Sequence, residues 1–152
     1  MEDNKKIYLG SDHAGFELKE KIKNFLTDIG YQYEDLGPKK YEAGDDYPDY
    51  AYLVANQTAK SNGRGILICS SGVGMCITAN KVNGIRAVDA YNVKMVQKSR
   101  EHNNTNILCI GQDYISTELA KEIIKIWLET DFSTEEKHHR RVQKIADIEK
   151  KR

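Results

Sequence analysis

Apolar residues follow two alternating patterns along this chain. Short continuous apolar runs, such as residues 65–69 and 107–111, are typical of strands that are buried on both faces of a parallel sheet. Between them lie longer segments in which apolar residues recur every three or four positions, which indicates helices with one buried face. Because strand and helix patterns alternate five times, the sequence predicts an α/β fold with a five-stranded, right-handed parallel sheet.

Turn and capping residues divide this pattern into elements. The predicted strands cover residues 6–10, 31–36, 65–69, 85–88 and 107–111. The predicted helices include residues 18–29, 51–58, 75–81, 91–102, 119–128 and 137–151. Pro48 suits the opening of the second helix, since its missing N–H costs nothing there. The last helix has a thin apolar stripe of Val142, Ile145 and Ile148, so we expect it to pack on a partner subunit.

Length and composition restrict the class of protein. The 152 residues fit a single domain, residues 1–152. Lys and Arg (23) balance Asp and Glu (23), which argues against a nucleic-acid or anionic-membrane surface. No apolar run approaches the roughly 20 residues of a membrane span, and residues 1–6 lead no signal-like segment. Three cysteines without a secretion signal favour a cytoplasmic protein with no disulfide framework, and their spacing lacks the paired cysteines of a zinc site.

Cys69 ends the third predicted strand and precedes a small polar loop, residues 70–74. In parallel α/β sheets the active-site crevice lies at the carboxyl ends of the strands. The loop presents backbone N–H groups at the start of a helix, an arrangement that stabilises anions. We expect these amides to lower the thiol pKa below about 8.5 and to yield a thiolate. The alternative is a small buried apolar side chain, which is our interpretation of Cys76 and Cys109.

The glycines of this loop form a weak motif by themselves. Gly72 and Gly74 lack the third glycine of a dinucleotide fingerprint, and no Gly-Lys-Ser/Thr ending follows as in a nucleotide-phosphate loop. The anion that the loop suits is therefore a phosphate, or a charge that develops during a reaction.

Three further groups are candidates for chemistry. Asp12 and His13 follow the first strand at the same sheet edge as Cys69; Asp12 either caps the next helix or binds a ligand, and His13 suits a hydroxyl or phosphate oxygen. His102 and Asn103 end the fourth helix, where a histidine is either a favourable charge or a general acid–base group. The basic cluster of residues 137–141 is either a solvated helix start or a phosphate clamp that reaches a neighbouring subunit's site.

Several short motifs occur in a fixed order between Lys6 and about Glu149. They are Gly10-Ser11-Asp12-His13-Ala14-Gly15, Asp46-Tyr47-Pro48-Asp49-Tyr50, Gly65-Ile66-Leu67-Ile68-Cys69, Ala79-Asn80-Lys81, Gly84-Ile85-Arg86-Ala87, Ser99-Arg100-Glu101-His102-Asn103 and His138-x-x-Arg141. Together they resemble the type B ribose-5-phosphate isomerase family, whose wider group includes galactose-6-phosphate and allose-6-phosphate isomerases.

This resemblance implies a Rossmann-like three-layer sandwich that forms a homodimer or homotetramer with sites shared between subunits. It implies a small-molecule sugar phosphate as substrate and no metal, cofactor, nucleic acid or membrane. Cys69 resembles the base that takes the C2 proton of the open-chain aldose and returns it at C1, and His102 resembles the residue that assists ring opening. The implied substrate contacts are Asp12, His13, Tyr47, Asn103, Lys137 and Arg141, with the amides of Ser70, Ser71, Gly72, Val73 and Gly74 as the enediolate cradle. A second branch of the family has a glutamate base at the position of Met75, which cannot act as a base.

Three departures from the family pattern bear on the substrate. Ser70 replaces a glycine, Asp113 stands where an arginine is usual, and Lys137 replaces an arginine. The leading hypothesis is an isomerase that interconverts ribose 5-phosphate and ribulose 5-phosphate. The alternatives are an isomerase of a hexose 6-phosphate of the allose or galactose type, or a non-catalytic module that binds sugar phosphates or nucleotides. A cysteine hydrolase with Cys69 as nucleophile lacks a recognisable orienting partner.

Overall fold

Five parallel strands form the sheet of the computed structural model, which describes residues 5–152. The strands are β1 (Ile7–Ser11), β2 (Tyr33–Asp35), β3 (Arg64–Cys69), β4 (Ala87–Ala90) and β5 (Ile107–Gly111). The helices are α1 (Phe16–Asp28), α2 (Tyr47–Ser61), α3 (Val73–Ala79), α4 (Val93–Asn103), α5 (Thr117–Glu129) and α6 (Glu136–Glu149). The prediction that residues 1–6 lead no signal-like segment falls mostly on residues 1–4, which lie outside the described residues.

The strands lie in the order β2-β1-β3-β5-β4, and every neighbouring pair is parallel, which confirms the predicted sheet. From β1 the chain moves outward to β2 and then returns to add β3 on the other side of β1. The strand order therefore reverses between β1 and β3. Open α/β sheets bind their ligands at the carboxyl ends of the strands beside such a reversal. Asp12, which follows β1, and Cys69, which ends β3, lie at this position.

Helices cover both faces of the sheet, which confirms the predicted three-layer architecture. Ile66 and Ile68 of β3 face the core shared with α1, α4 and α5, where Trp127 is fully buried. Leu67 and Cys69 face the core shared with α2 and α3, because side chains alternate along a strand. β3 is thus buried on both faces, as its continuous apolar run predicts.

Every element except β5 begins one to four residues away from its predicted start, and β4 and α3 show the physical reasons. β4 starts at Ala87 rather than at residue 85, because Ile85 packs in the core and its N–H donates to the Val82 carbonyl in a turn (3.2 Å). α3 starts at Val73, two residues earlier than predicted, because Gly72 ends the loop with a left-handed φ of 81°. α3 also ends two residues earlier than predicted, at Ala79, so the helix is shifted along the chain toward Cys69 and keeps its predicted length.

α6 is the least buried helix of the fold. Its His138 is buried against α4, whereas Ile145 is 40% exposed and Ile148 is 60% exposed. The packing of this stripe on a partner subunit stays a prediction. Among residues 5–152, no helix combines the length and apolar character that crossing a membrane requires.

Candidate active site

The crevice between the carboxyl ends of β1 and β3 brings together the first group of predicted site residues. The Asp12 N–H donates to the Ile68 carbonyl (3.3 Å), which joins the end of β1 to the strand that carries Cys69. The Asp12 carboxylate caps the turn at residues 13–15 by accepting the Gly15 N–H (3.1 Å). Its charge also raises the pKa of Cys69, so the carboxylate and the sulfur are electrostatic neighbours. Asp12 is therefore both a cap and part of the crevice.

Backbone amides of the loop point at the sulfur of Cys69. The Gly72 N–H donates to Sγ at 3.0 Å, and the amides of Ser71 and Met75 also stabilise a negative charge on the sulfur. Gly72 has a left-handed φ of 81°, a conformation that glycine adopts without strain. Backbone donors of Ser71, Gly72 and Met75 thus surround the sulfur, whereas the role of the amides of residues 70–74 as an enediolate cradle stays a prediction.

Burial changes the expected protonation state of Cys69. The side chain is 4% exposed, and its burial raises the pKa of the thiol by more than the three loop amides lower it. The expectation of a thiol pKa below its ordinary value is therefore wrong for the ligand-free protein. The resting group is a thiol, and the amides are placed to stabilise the thiolate when it forms.

Tyr47 lies against the far side of the same loop. A Cβ added to Gly74 would overlap the Tyr47 ring, so the absence of a side chain at Gly74 lets the ring approach the loop. Tyr47 is 40% exposed at the start of α2. Ser71 Oγ accepts the Val73 N–H (3.3 Å), and the Ser70 carbonyl accepts the Asp113 N–H (3.0 Å). The loop is therefore braced from α2 and from the end of β5.

His13 is held by a residue that the sequence did not single out. Asp45 Oδ1 accepts the His13 backbone N–H (3.0 Å) and contacts His13 Nδ1 at 2.7 Å. The hydrogen bond that the His13 ring donates to Asp45 is the main reason that the pKa of His13 is raised, and the charge of Asp12 adds to it. Asp45 lies in a polar loop 32 residues away, so only the fold brings the two together.

Asp12, His13 and Asp45 offer three ligand atoms within 4.8 Å of one another, a spacing that a metal ion tolerates. Hydrogen bonds already account for this arrangement, since Asp45 Oδ1 is used by His13 and Asp12 Oδ1 is used by Gly15. The group is arranged to bind and orient through hydrogen bonds.

The second group of predicted site residues gathers around the end of α4. The rings of His102 and His138 are stacked, with centroids 4.2 Å apart and planes 9° from parallel. Burial lowers the pKa of His138, and the nearby charges of His102, Lys137 and Arg141 lower it further. His138 was quoted in the motif that the family shares, but its stacking on His102 could not be anticipated from the sequence.

Buried Arg100 fixes this end of α4. Its guanidinium donates to the Thr105 and Thr130 carbonyls, which ties the helix end to the segment before α6. The Ser133 N–H also donates to the Glu101 carbonyl (3.0 Å). Lys137 and Arg141, both exposed, lie near His138, which stacks on His102, and they form a cationic surface at this end of α4.

The two groups of site residues lie at opposite ends of the strands, one at the carboxyl ends and the other at the amino ends. Cys69 is at the carboxyl edge, whereas Asn103 ends α4 just before β5 begins, and its carbonyl accepts from Arg86, which precedes β4. A strand of six residues such as β3 separates the two edges by roughly 20 Å. A single chain therefore brings Cys69 to Asp12, His13 and Tyr47, but does not bring it to His102, Asn103, Lys137 or Arg141.

Comparison with known proteins gives a consistent set of relatives. A family model described as Ribose/Galactose Isomerase matches residues 7–145. The putative sugar phosphate isomerase YwlF of Bacillus subtilis is 44% identical over 96% of this chain and 98% of the relative. The crystal structure of ribose-5-phosphate isomerase B from Mycoplasma genitalium with bound ribulose-5-phosphate superposes with a TM-score of 0.93 at 38% identity, over 97% of both chains. The D-erythrulose-4-phosphate isomerase of Pectobacterium atrosepticum is 40% identical over 83% of this chain and 84% of the relative.

Proposed function

The chain belongs to the ribose/galactose isomerase family, and we propose that it interconverts ribose 5-phosphate and ribulose 5-phosphate through an enediolate, with Cys69 as the base. The family makes it an aldose–ketose isomerase. The ribulose-5-phosphate bound to the Mycoplasma genitalium structure supports a pentose phosphate as the substrate.

The observation that carries the proposal is the sulfur of Cys69 beneath three backbone amides, those of Ser71, Gly72 and Met75, in the crevice beside β1. Removing a proton next to a carbonyl group puts negative charge on the substrate oxygen. Preorganised N–H donors stabilise such a charge, and losing one donor costs about 10²–10³ in rate in comparable sites. A loop that stabilises anions beside a buried thiol suits this reaction better than it suits passive ligand binding.

The raised pKa of Cys69 fits the task of a base. A thiolate formed from a thiol of high pKa takes up a proton strongly, and the amides of Gly72, Ser71 and Met75 stabilise it while it exists. In the proposed cycle the Cys69 thiol first loses its proton to solvent water, and the thiolate then removes the proton from C2 of the open-chain aldose. The resulting thiol returns this proton to C1 of the enediolate while the O2 hydroxyl proton moves to O1, which gives the ketose and restores the thiolate. The chemistry is a proton transfer that requires no metal and no cofactor.

We propose that each site is shared between two subunits, because one chain separates the two predicted groups by the width of the sheet. One subunit supplies Cys69 with the substrate contacts Asp12, His13 and Tyr47. The partner's His102 assists ring opening, and its neighbour Asn103 contacts the substrate. The partner's Lys137 and Arg141 bind the phosphate group, for which a cationic surface of Lys and Arg is suited.

A four-carbon sugar phosphate is the second candidate substrate. The relative from Pectobacterium atrosepticum, named for D-erythrulose 4-phosphate, is as similar to this chain as many pentose phosphate isomerases are. We further propose a cytoplasmic location, which the three free thiols support because reducing compartments keep cysteines unpaired.

The test is isomerisation by the purified protein, without added metal, of ribose 5-phosphate and of four- and six-carbon sugar phosphates. We expect ribose 5-phosphate to give the highest kcat/KM and Cys69→Ala to abolish turnover. Cys76→Ala is the matched control, since the Cys76 thiol forms hydrogen bonds with Cys109 and with the Ala87 carbonyl (3.5 Å), and this substitution should leave kcat unchanged. Full activity of Cys69→Ala would exclude the mechanism, and a higher kcat/KM for another sugar phosphate would exclude the substrate.

A further inference from the structure

We infer that Asp45 is a positioning residue for this reaction: it fixes the His13 ring and keeps it positively charged, so that Nε2–H of His13 donates to an oxygen of the substrate. The inference rests on the proposed function for its substrate, but the coupling between the two residues is a property of the ligand-free protein.

The geometry shows a carboxylate that holds both the backbone and the ring of His13. Asp45 Oδ1 accepts the His13 main-chain N–H at 3.0 Å and lies 2.7 Å from Nδ1. The Asp45 side chain is 6% exposed, whereas the His13 side chain is 35% exposed. Asp45 is therefore buried, while His13 is partly exposed at the crevice. This is the arrangement expected of a residue that acts by orienting its neighbour.

The contact fixes which ring nitrogen is left for a ligand. A carboxylate accepts hydrogen bonds and cannot donate them, so Nδ1 carries a proton. Nε2 has no hydrogen-bond partner within the described residues 5–152. A neutral ring would present a lone pair at Nε2, whereas a charged ring presents an N–H donor, which is what a hydroxyl, carbonyl or phosphate oxygen requires.

The charges around His13 favour the protonated ring. Asp45 on the loop before α2 and Asp12 at the end of β1 both raise the pKa of His13, and the Tyr41 ring meets the imidazole edge-on at 6.1 Å. Asp12 in turn lies beside Cys69, the titratable group of β3. Among the described residues, the charges that act on the His13 ring are those of the two carboxylates, and both favour its protonated form.

Its neighbour Asp46 does not share this role. Asp46 is exposed at the start of α2, and its side chain makes no capping hydrogen bond to the helix. Asp45 is oriented instead by its own N–H, which donates to the Glu42 carbonyl (3.2 Å). One of two adjacent acidic residues is therefore turned inward onto His13.

The first experiment measures the pKa of His13 in the ligand-free protein by following its ring proton with NMR as the pH is varied. His13→Gln assigns the resonance among the four histidines. We expect a pKa above the ordinary 6.5 in the wild type and a lower value in Asp45→Asn, with no change in Glu42→Gln, an exposed acidic residue of the same loop. A wild-type pKa at or below 6.5 would overturn the inference even if Asp45→Asn did not fold.

The second experiment compares kcat/KM of Asp45→Asn and the wild type across pH. We expect a loss of about 10- to 100-fold at about pH 8, the range of a hydrogen bond to a charged group. The deficit should shrink at about pH 6, where the ring is protonated without help from Asp45. A deficit of constant size across pH would assign Asp45 a merely structural role. If the wild type isomerises no sugar phosphate, the proposed function fails, while the NMR titration still decides whether Asp45 controls the charge of His13.

Discussion

Gly111→Ala adds a methyl group against the main chain of the catalytic loop and leaves the Cys69 side chain itself unchanged. Gly111 ends β5, and a Cβ at this position would lie 2.6 Å from the carbonyl carbon and oxygen of Ser71. Ordinary van der Waals contact begins at 3.4 Å, so the backbone of Ser71 must retreat by about 0.8 Å. Because the obstacle is main chain rather than a flexible side chain, the shift passes directly into the loop that carries the donors to Sγ.

A displacement of about 1 Å in a catalytic group costs about 10²-fold in rate. We therefore expect kcat/KM of Gly111→Ala to fall by about 10²-fold, mainly through kcat, because the amides are most important for the charge that forms during the reaction. The free energy of unfolding should fall by only about 1–3 kcal/mol, as for other overpacked sites. Steady-state kinetics and urea denaturation measure the two quantities.

Gly44→Ala provides the matched control. It is the same substitution at a glycine with no heavy atom within 4 Å of the added Cβ and no left-handed backbone. This variant should keep the activity and stability of the wild type. Wild-type kcat/KM in Gly111→Ala would show that the position of the loop amides is unimportant, and would refute the reasoning.

Two other predictions concern charge. The exposed Asp113 lies beside the loop, where its N–H donates to the Ser70 carbonyl, and its negative charge repels a phosphate. Asp113→Asn should therefore lower KM for sugar phosphates about twofold to fivefold, with a smaller effect at high salt, whereas Glu118→Gln on α5 should leave KM unchanged. An unchanged KM in Asp113→Asn would contradict this prediction. Asp35→Ala should cost about 3–5 kcal/mol in urea denaturation, because it leaves the fully buried Lys19 ammonium without its carboxylate. Burial opposes ionisation of Asp35, but its bonds to Lys19, Lys23 and the Gly37 amide lower its pKa below 3.8, so wild-type stability from this pair should be present above pH 3.8 and lost as the pH falls through the folded-state pKa. Equal acid sensitivity of the wild type and Asp35→Ala would contradict it.

The sequence predicted best the elements whose signal is local. β5 occupies residues 107–111 as its apolar run indicates, and β3 ends at Cys69 as expected. β2 is only three residues long, because it is an edge strand that pairs with β1 alone. The start of β4 was predicted two residues too early, because Ile85 is buried in the core although it lies in the turn before the strand. Periodicity reports burial, and burial does not by itself distinguish a strand from the turn before it.

The candidate site was predicted where one short segment contains the chemistry. Cys69 and its loop amides are contiguous, so their juxtaposition follows from a strand, a turn and a helix. Asp45 could not be found in this way, because nothing local distinguishes it from Asp46 and its partner His13 is 32 residues away. The direction of the pKa shift of Cys69 also could not be predicted from the sequence, since it depends on how deeply the sulfur is buried. The sequence shows only an acidic pair, Asp45 and Asp46, in a polar loop. The partner of each carboxylate becomes clear only when the fold is known.

The most direct test of a cysteine base in a shared site is to combine two inactive variants in one oligomer. Cys69→Ala and His102→Ala, carrying different affinity tags, are co-expressed, and dimers that contain both chains are purified. Each such dimer has one site with both substitutions and one site with neither, so activity on ribose 5-phosphate should return to about half of the wild-type value, while each variant alone stays nearly inactive. Failure of the mixed dimer to recover activity would contradict the pairing of Cys69 with the partner subunit's His102.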